Sequence, residues 1–371
     1  MPMADVEVVD ALDTLRFAVS FGLPGSALVA PVGHRTLTAE VIQRANGDRV
    51  LGLLWSALEA GSLKASDELV AEARTAYLEA LHICLLAEET AVLALDALGS
   101  GGIDARVLKG VAIAHLDHDN PAERNFGDAD ILIRRHDYKR ALRALTTAGF
   151  RRSEPAVRGW WEHRFGKAIV FLSPSGAELD LHLSITGGYF GERIDHDELW
   201  VSPSQAFQLG GQTVRGLSCE WRFLHACCHT VLGGGSGLRA KRDVTQLLLV
   251  SEADWPAALT LARRNGIDAV VAEALRQTWS ELSLDQDHPA ARWAASHVAD
   301  PVQQRALVGY AAAAALGWAP EGRGVMAALD PLDRARFLTG LAFPSRDSLR
   351  FRRRTLRQHL RWGAEVLRGS S

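Results

Sequence analysis

Two short runs constrain this chain more than any other feature: GDADILI at residues 127–133 and AELDLHLSI at residues 177–185. Read with a period of two, each sets polar groups on one face of a strand and aliphatics on the other. In the first, Asp128, Asp130 and Leu132 share a face opposite Ala129, Ile131 and Ile133. In the second, Glu178, Asp180, His182 and Ser184 lie opposite Leu179, Leu181 and Leu183. Such runs belong in a sheet whose aliphatic face lies under helices. Aspartate is a poor strand former, and two carboxylates on one side of a strand repel unless a cation sits between them. A solvated strand end would carry an isolated Asp-x-Asp equally well, so the pair alone decides nothing.

Around these runs the hydrophobic period divides the chain into three. Residues 1–100 repeat apolar positions every three to four residues (Leu69, Ala73, Leu78, Leu81, Leu85, Leu86), with Ser66 placed as an N-cap. Residues 101–200 alternate periods: a strand at ARVLKG, a helix at VAIAHL, a strand at GDADILI and an amphipathic helix ending at Gly149. A hairpin follows, HRFGKAIVFLSP turning at Ser175-Gly176 into AELDLHLSI. Residues 201–371 read as helical, with a basic tail. The predicted class is α+β, a small mixed sheet flanked by N-terminal and C-terminal helical regions.

At 371 residues, 47% apolar and 23% charged, the chain can bury a large core. A net charge of −3 argues against bulk nucleic-acid binding. The tail holds eight arginines from Arg346 to Arg368 against Asp347 and Glu365, which suits a solvated helix face or contact with an acidic partner. The four cysteines form no Cys-x-x-Cys pair, and Cys227 and Cys228 beside His225 and His229 fit a buried helical face better than a metal cluster. No basic leader precedes the first acids, and the early apolar stretch is broken by Gly22, Pro24 and Gly25, so no membrane span is expected and a cytoplasmic location is the default.

If the two acidic strands are neighbours, Asp128, Asp130 and Asp180 converge. Three carboxylates in one place cannot all stay ionised without compensation. A pair of divalent ions ~3.5–4 Å apart supplies it and clamps both oxygens of a phosphoryl or nucleotidyl displacement. Oxygen-only ligands favour Mg²⁺ or Mn²⁺ over zinc. Whether Glu178 or His182 joins them stays open. Upstream, Gly110 stands where a strand turns into a helix, which lets backbone N–H groups approach a phosphate, and Lys109 adds a point charge. LGGGSGLRAK lacks the Gly-Lys-Ser/Thr ending of a phosphate loop and reads as a loop between helices, with Arg239, Lys241 and Arg242 as its basic flank.

This order of parts resembles the DNA polymerase beta nucleotidyltransferase superfamily. More narrowly, RVLKGVAIAHL, ERNFGDADILI and ELDLHLSI are similar to the bacterial uncharacterised nucleotidyltransferase family, and the likeness runs over about residues 50–280. Within it, His229, Arg239, Lys241, Arg242 and Asp243 stand where that family has a helical His, an Arg-rich turn and an Asp. Two departures from the superfamily are Gly110-Val111 in place of Gly-Ser or Gly-Gly, and the eighteen positions from Gly110 to Asp128. The resemblance implies an NTP substrate, Mg²⁺ or Mn²⁺ held by Asp128, Asp130 and Asp180, and departure of pyrophosphate. It implies that Asp180 also deprotonates the acceptor hydroxyl, and that Lys109, Gly110 and Arg124, with Lys241 and Arg242 from the helical region, hold the triphosphate. Family members often accompany genes for ribosomally made, modified peptides, which implies a peptide or small-molecule acceptor. Two other readings compete: a non-catalytic scaffold of the same fold that binds a peptide or protein, and an Asp-x-Asp glycosyltransferase. Because the acids repel, asparagine at any of the three is expected not to lower stability without metal.

Overall fold

The computed structural model describes residues 11–28, 35–232, 237–251, 253–316 and 325–361. Residues 233–236 of the glycine-rich stretch and residues 362–371 of the basic tail lie outside them.

Seven strands form one mixed sheet: β1 (Ala105–Val107), β2 (Asp128–Ile133), β3 (Arg151–Arg152), β4 (Ala168–Leu172), β5 (Glu178–His182), β6 (Gln205–Leu209) and β7 (Gln212–Gly216). Their spatial order is β3-β4-β5-β2-β1-β7-β6. The acidic strands β2 and β5 are parallel neighbours in the register Asp128↔Glu178, Asp130↔Asp180 and Leu132↔His182. Parallel partners at equal register point to the same face, so alternation in each strand adds up to one polar corner. β4 and β5 form the expected antiparallel hairpin. The HRF segment, expected to open that hairpin, ends a short helix over Gly159–Phe165 instead. Residues 205–216, expected within the C-terminal helical region, extend the sheet as the β6–β7 hairpin, and β7 runs parallel to β1. Its turn is Gly210-Gly211, both at positive φ (56° and 79°), the backbone that a two-residue hairpin needs.

Helices cover both faces. The longest, α1 (Asp67–Ser100), has 34 residues and starts where expected, at a Ser66 hydroxyl that accepts from the Leu69 amide. Its C-terminal half, Cys84, Ala87, Ala91, Ala94 and Leu98, packs with Ala129, Ile131, Ile133, Leu179 and Leu181 into one hydrophobic core. Its N-terminal half joins a second and larger core through Ala73. There Leu132, on the acidic face of β2, meets α2 (Lys109–Asp117) through Ile113, and α3 (Cys219–Leu232) through Leu224, Cys227 and Cys228. Buried among these side chains, Cys228 has its thiol pushed up to about 12, so it is inert as a nucleophile and as a ligand. A third, small cluster joins Val325, Leu329 and Phe337 to Trp161 and Phe165, so the C-terminal helix Pro331–Ala342 lies over helix Gly159–Phe165. Among the described residues no helix is long and apolar enough to cross a membrane.

Candidate active site

The parallel pairing of β2 with β5 brings Asp130, Asp180 and His182 together, with one ligand atom of each within 4.8 Å of the others. Asp130 is the best held. Its Oδ1 accepts from Lys109 Nζ at 2.5 Å and faces His182 Nε2 at 2.7 Å. Burial pushes the Asp130 carboxyl up, but Lys109 and His182 outweigh it and hold the group well below the usual carboxylate range. Asp180 has less help, its Oδ2 lying 3.9 Å from the same His182 Nε2. Burial, then repulsion from Asp130, pushes its carboxyl up to about 6 against an opposing Lys109. Its Oδ1 is buried with no hydrogen-bond partner.

His182 is buried with acceptors at both ring nitrogens, Asp130 at Nε2 and the Ser184 carbonyl at Nδ1, 3.1 Å away. Two acceptors require two N–H groups and therefore an imidazolium, yet burial and the neighbouring Lys109 work against that proton. A divalent ion would resolve the conflict: Nδ1–H would keep the Ser184 carbonyl, as the distal nitrogen of a ligating histidine does, and Nε2 would be free to serve as a ligand. The orphaned Asp180 oxygen, the anionic Asp130 and this imidazole therefore fit a metal. His182 adds an imidazole nitrogen to the expected oxygen donors, and such a mixed set would suit Mn²⁺ better than Mg²⁺. Asp128 lies one step outside: half-buried on the same face, it is not among the three converging groups, though its charge bears on Asp180.

Lys109 begins α2 at the strand-to-helix turn with φ of 36°, in the left-handed region that a side chain rarely adopts. The turn is pinned to β2 by the Leu108 amide, which donates to the Asp130 carbonyl at 2.9 Å. Gly110 is needed here for packing. A Cβ on it would lie 2.6 Å from the Phe126 Cβ, so the glycine admits the chain that leads into β2.

Residues 36–282 match the family described as uncharacterised nucleotidyltransferase. The chain belongs to that family. No curated protein matches. Among solved structures, it is similar to an antigenic nucleotidyltransferase-like protein from Paracoccidioides brasiliensis at 17% identity and a TM-score of 0.35. That likeness covers 54% of this chain and 93% of the other.

Three cations expected at the triphosphate of this nucleotidyltransferase family member are committed elsewhere. Arg124 is buried and donates Nε and Nη2 to both carboxylate oxygens of Asp243, at 2.9 and 2.6 Å. Lys241 pairs with Glu281 at 2.8 Å. Arg242 donates to the carbonyls of Val19 and Phe21, both at 2.7 Å, and to the Gln246 side chain. All three tie elements together, because a buried guanidinium or ammonium must find acceptors where it is. Of the basic flank only Arg239 faces the acids, where burial lowers its pKa to about 10 while Asp128 and Asp243 oppose the shift. Arg49, whose guanidinium lies 3.2 Å from where a Gly127 Cβ would stand, and Lys167, in the field of Asp130 and Asp180, complete the set. Arg49, Arg239 and Lys167 have no ion-pair partner among the described residues. Period two placed His182 on the acidic face, whereas Lys167 and Arg49 left no signal, because a strand-entry lysine and a turn arginine are usual on any surface.

Proposed function

We propose that this protein moves a nucleotidyl group from an NTP to a hydroxyl, with divalent ions held by Asp130, Asp180 and His182 and with Asp128 at their edge. The observation that carries the reading is the in-register pair Asp130 and Asp180 on parallel strands, with one buried carboxylate oxygen left without a partner. Two acids of opposed character do two jobs. Asp130, kept anionic by its neighbours, is the standing ligand. Asp180, with one oxygen left without a hydrogen-bond partner, is positioned to accept the acceptor hydroxyl's proton. Bound divalent ions supply charge neutralisation of the phosphates and of the oxygens that form and break bonds. Lys109 is then released from Asp130 toward phosphate, and Arg49 and Arg239 take the triphosphate role first assigned to Arg124, Lys241 and Arg242. The acceptor is a hydroxyl of a peptide or small molecule. A scaffold role is the poorer account, since an idle site has no use for a carboxylate with a buried oxygen that meets no hydrogen-bond donor.

Calorimetric titration of Mn²⁺–NTP and Mg²⁺–NTP tests the proposal. Wild type should bind at micromolar to millimolar concentration, Asp130→Asn should lose metal-dependent binding, and Asp180→Asn should lose turnover. Absence of binding by the wild type at millimolar metal would overturn the enzyme reading in favour of the scaffold.

A further inference from the structure

Next to the acids lies a cavity of about 200 Å³ that the chemistry above does not use. One wall is aromatic. Trp161 lies 5.8 Å from Phe165 and 5.5 Å from Phe337 between ring centroids, and Phe165 meets Phe337 edge-on at 5.2 Å. The cavity's ionisable lining is Lys167, His225, His229 and Glu192, the last paired with Arg164. The Lys167 ammonium has no hydrogen-bond or ion-pair partner among the described residues. His225 is only 4% exposed, and its Nε2 has no hydrogen-bond partner. A buried polar atom without a partner is costly, so His225 Nε2 marks a place where a ligand atom is missing, with the half-buried Lys167 beside it.

Both polar residues also border the acidic cluster. The His225 ring meets His182 edge-on at 6.4 Å. The Lys167 carbonyl accepts from the Leu183 and Ser184 amides at the end of β5; burial and Lys109 lower its side-chain pKa, and the field of Asp130 and Asp180 opposes them. A group seated against the aromatic wall would therefore present its polar end between Lys167, His225 and the acids. The cavity is larger than the roughly 150 Å³ that encloses a benzene ring. One ring with a hydroxyl and a short substituent fits, whereas an NTP does not.

We propose that this cavity is the acceptor subsite and that it takes a phenolic hydroxyl, the ring packed on Trp161, Phe165 and Phe337 and the oxygen facing Lys167 and His225. The inference rests on the nucleotidyl-transfer reading and names its acceptor class. Aromatic rings gain about 0.5–1.5 kcal/mol from such edge and offset packing beyond buried area. An ammonium beside the oxygen stabilises the negative charge that grows there as the proton leaves. In the transfer, the phenolic oxygen forms a bond to the α-phosphorus and its proton passes to Asp180. The bond from that phosphorus to the bridging oxygen of the β-phosphate breaks, and pyrophosphate leaves with the electron pair. The product is an aryl nucleotidyl phosphodiester.

The probe is 4-nitrophenol, titrated into the metal-free protein while phenolate absorbance is followed. Saturable binding is expected, with the ionisation of the bound probe shifted down by about one pH unit. Lys167→Met should keep binding and abolish that shift. Val325→Phe, which fills the cavity from its C-terminal wall, should weaken binding about tenfold or more. In competition, 4-methylphenol should displace the probe about tenfold better than cyclohexanol. No saturable binding, equal displacement by the two competitors, or an ionisation shift that persists in folded Lys167→Met overturns the proposal. Mg²⁺–NTP and Mn²⁺–NTP binding are titrated on the same preparation. If they bind while the phenol does not, the acceptor inference falls and the transferase reading stands. If the phenol binds while neither nucleotide complex does, the transferase reading falls and takes the acceptor role with it.

Discussion

Replacing Arg124 by Met leaves the Asp243 carboxylate buried without the guanidinium that balances it. Both side chains are almost fully enclosed, 3% and 4% exposed, and two hydrogen bonds join them. Breaking a buried pair from one side costs about 3–5 kcal/mol, because the remaining charge keeps its desolvation penalty and loses its partner. In a chain of this size, that lowers the thermal midpoint by roughly 4–6 °C. The double replacement Arg124→Met/Asp243→Leu should recover most of the loss, since removing both charges removes both penalties. The sign of the pH dependence follows from Asp243. Burial pushes its carboxyl up, but Arg124 more than offsets this and the folded-state pKa is depressed. The stabilisation is therefore present above the unfolded value of about 3.9 and is lost as pH falls through the folded value, so the gap between wild type and Arg124→Met should narrow in acid. Circular dichroism melts from pH 7 to pH 3, with urea unfolding of the four proteins of the cycle, give every quantity. Mg²⁺–NTP affinity of Arg124→Met, measured below its midpoint, should stay within about threefold of wild type. A variant that melts like wild type and no longer binds nucleotide would refute the architectural role and return Arg124 to the phosphates.

The acids should respond differently to amidation. Asp180→Asn should raise metal-free stability by on the order of 2–3 kcal/mol near pH 8, because its carboxyl is raised to about 6 in the folded chain. That gain should shrink as pH falls below 6 and vanish near pH 4, and a pH-independent difference in melting would contradict the assignment. Asp130→Asn should instead lower metal-free stability by about 1–3 kcal/mol, since Lys109 and His182 both lose an anionic partner. This outcome would run against the expectation that asparagine at any of the three acids does not lower metal-free stability. Gly110→Ala should cost about 1–3 kcal/mol through the 2.6 Å approach to Phe126, and an unchanged melting temperature would show that Phe126 can yield.

Period two in GDADILI and ELDLHLSI foretold the apolar face beneath the long helix and set Asp128, Asp130, Asp180 and His182 on the polar one, leaving the part of His182 in the site open. It did so because one buried face fixes a strand's orientation from local residues alone. Pairings across the chain carry no such local mark. Arg124 and Asp243 are 119 positions apart, and nothing in ERNFGD distinguishes an arginine bound to a carboxylate from one bound to a phosphate. The β6–β7 hairpin did leave a trace, alternating residues around Gly210-Gly211, but two five-residue strands directly ahead of a helical run are easily absorbed into it. The aromatic wall was out of reach, for Trp161 donates to the Phe337 carbonyl across 176 positions.

The helix from Asp67 to Ser100 is about 50 Å long at the usual rise, and it roots one half in each of the two large cores. An unbroken ladder of backbone hydrogen bonds therefore spans what would otherwise be two separately melting bodies. Loosening either core frays a helix that the other still needs, so the free energies of local opening on the two sides are linked. Chains of this length tend to divide into independently unfolding units; here heat should be absorbed in one shared transition. Amide exchange along residues 73–98 should then slow to the same limiting rate at both ends of the segment, and a proline at Glu79 should split the transition in two.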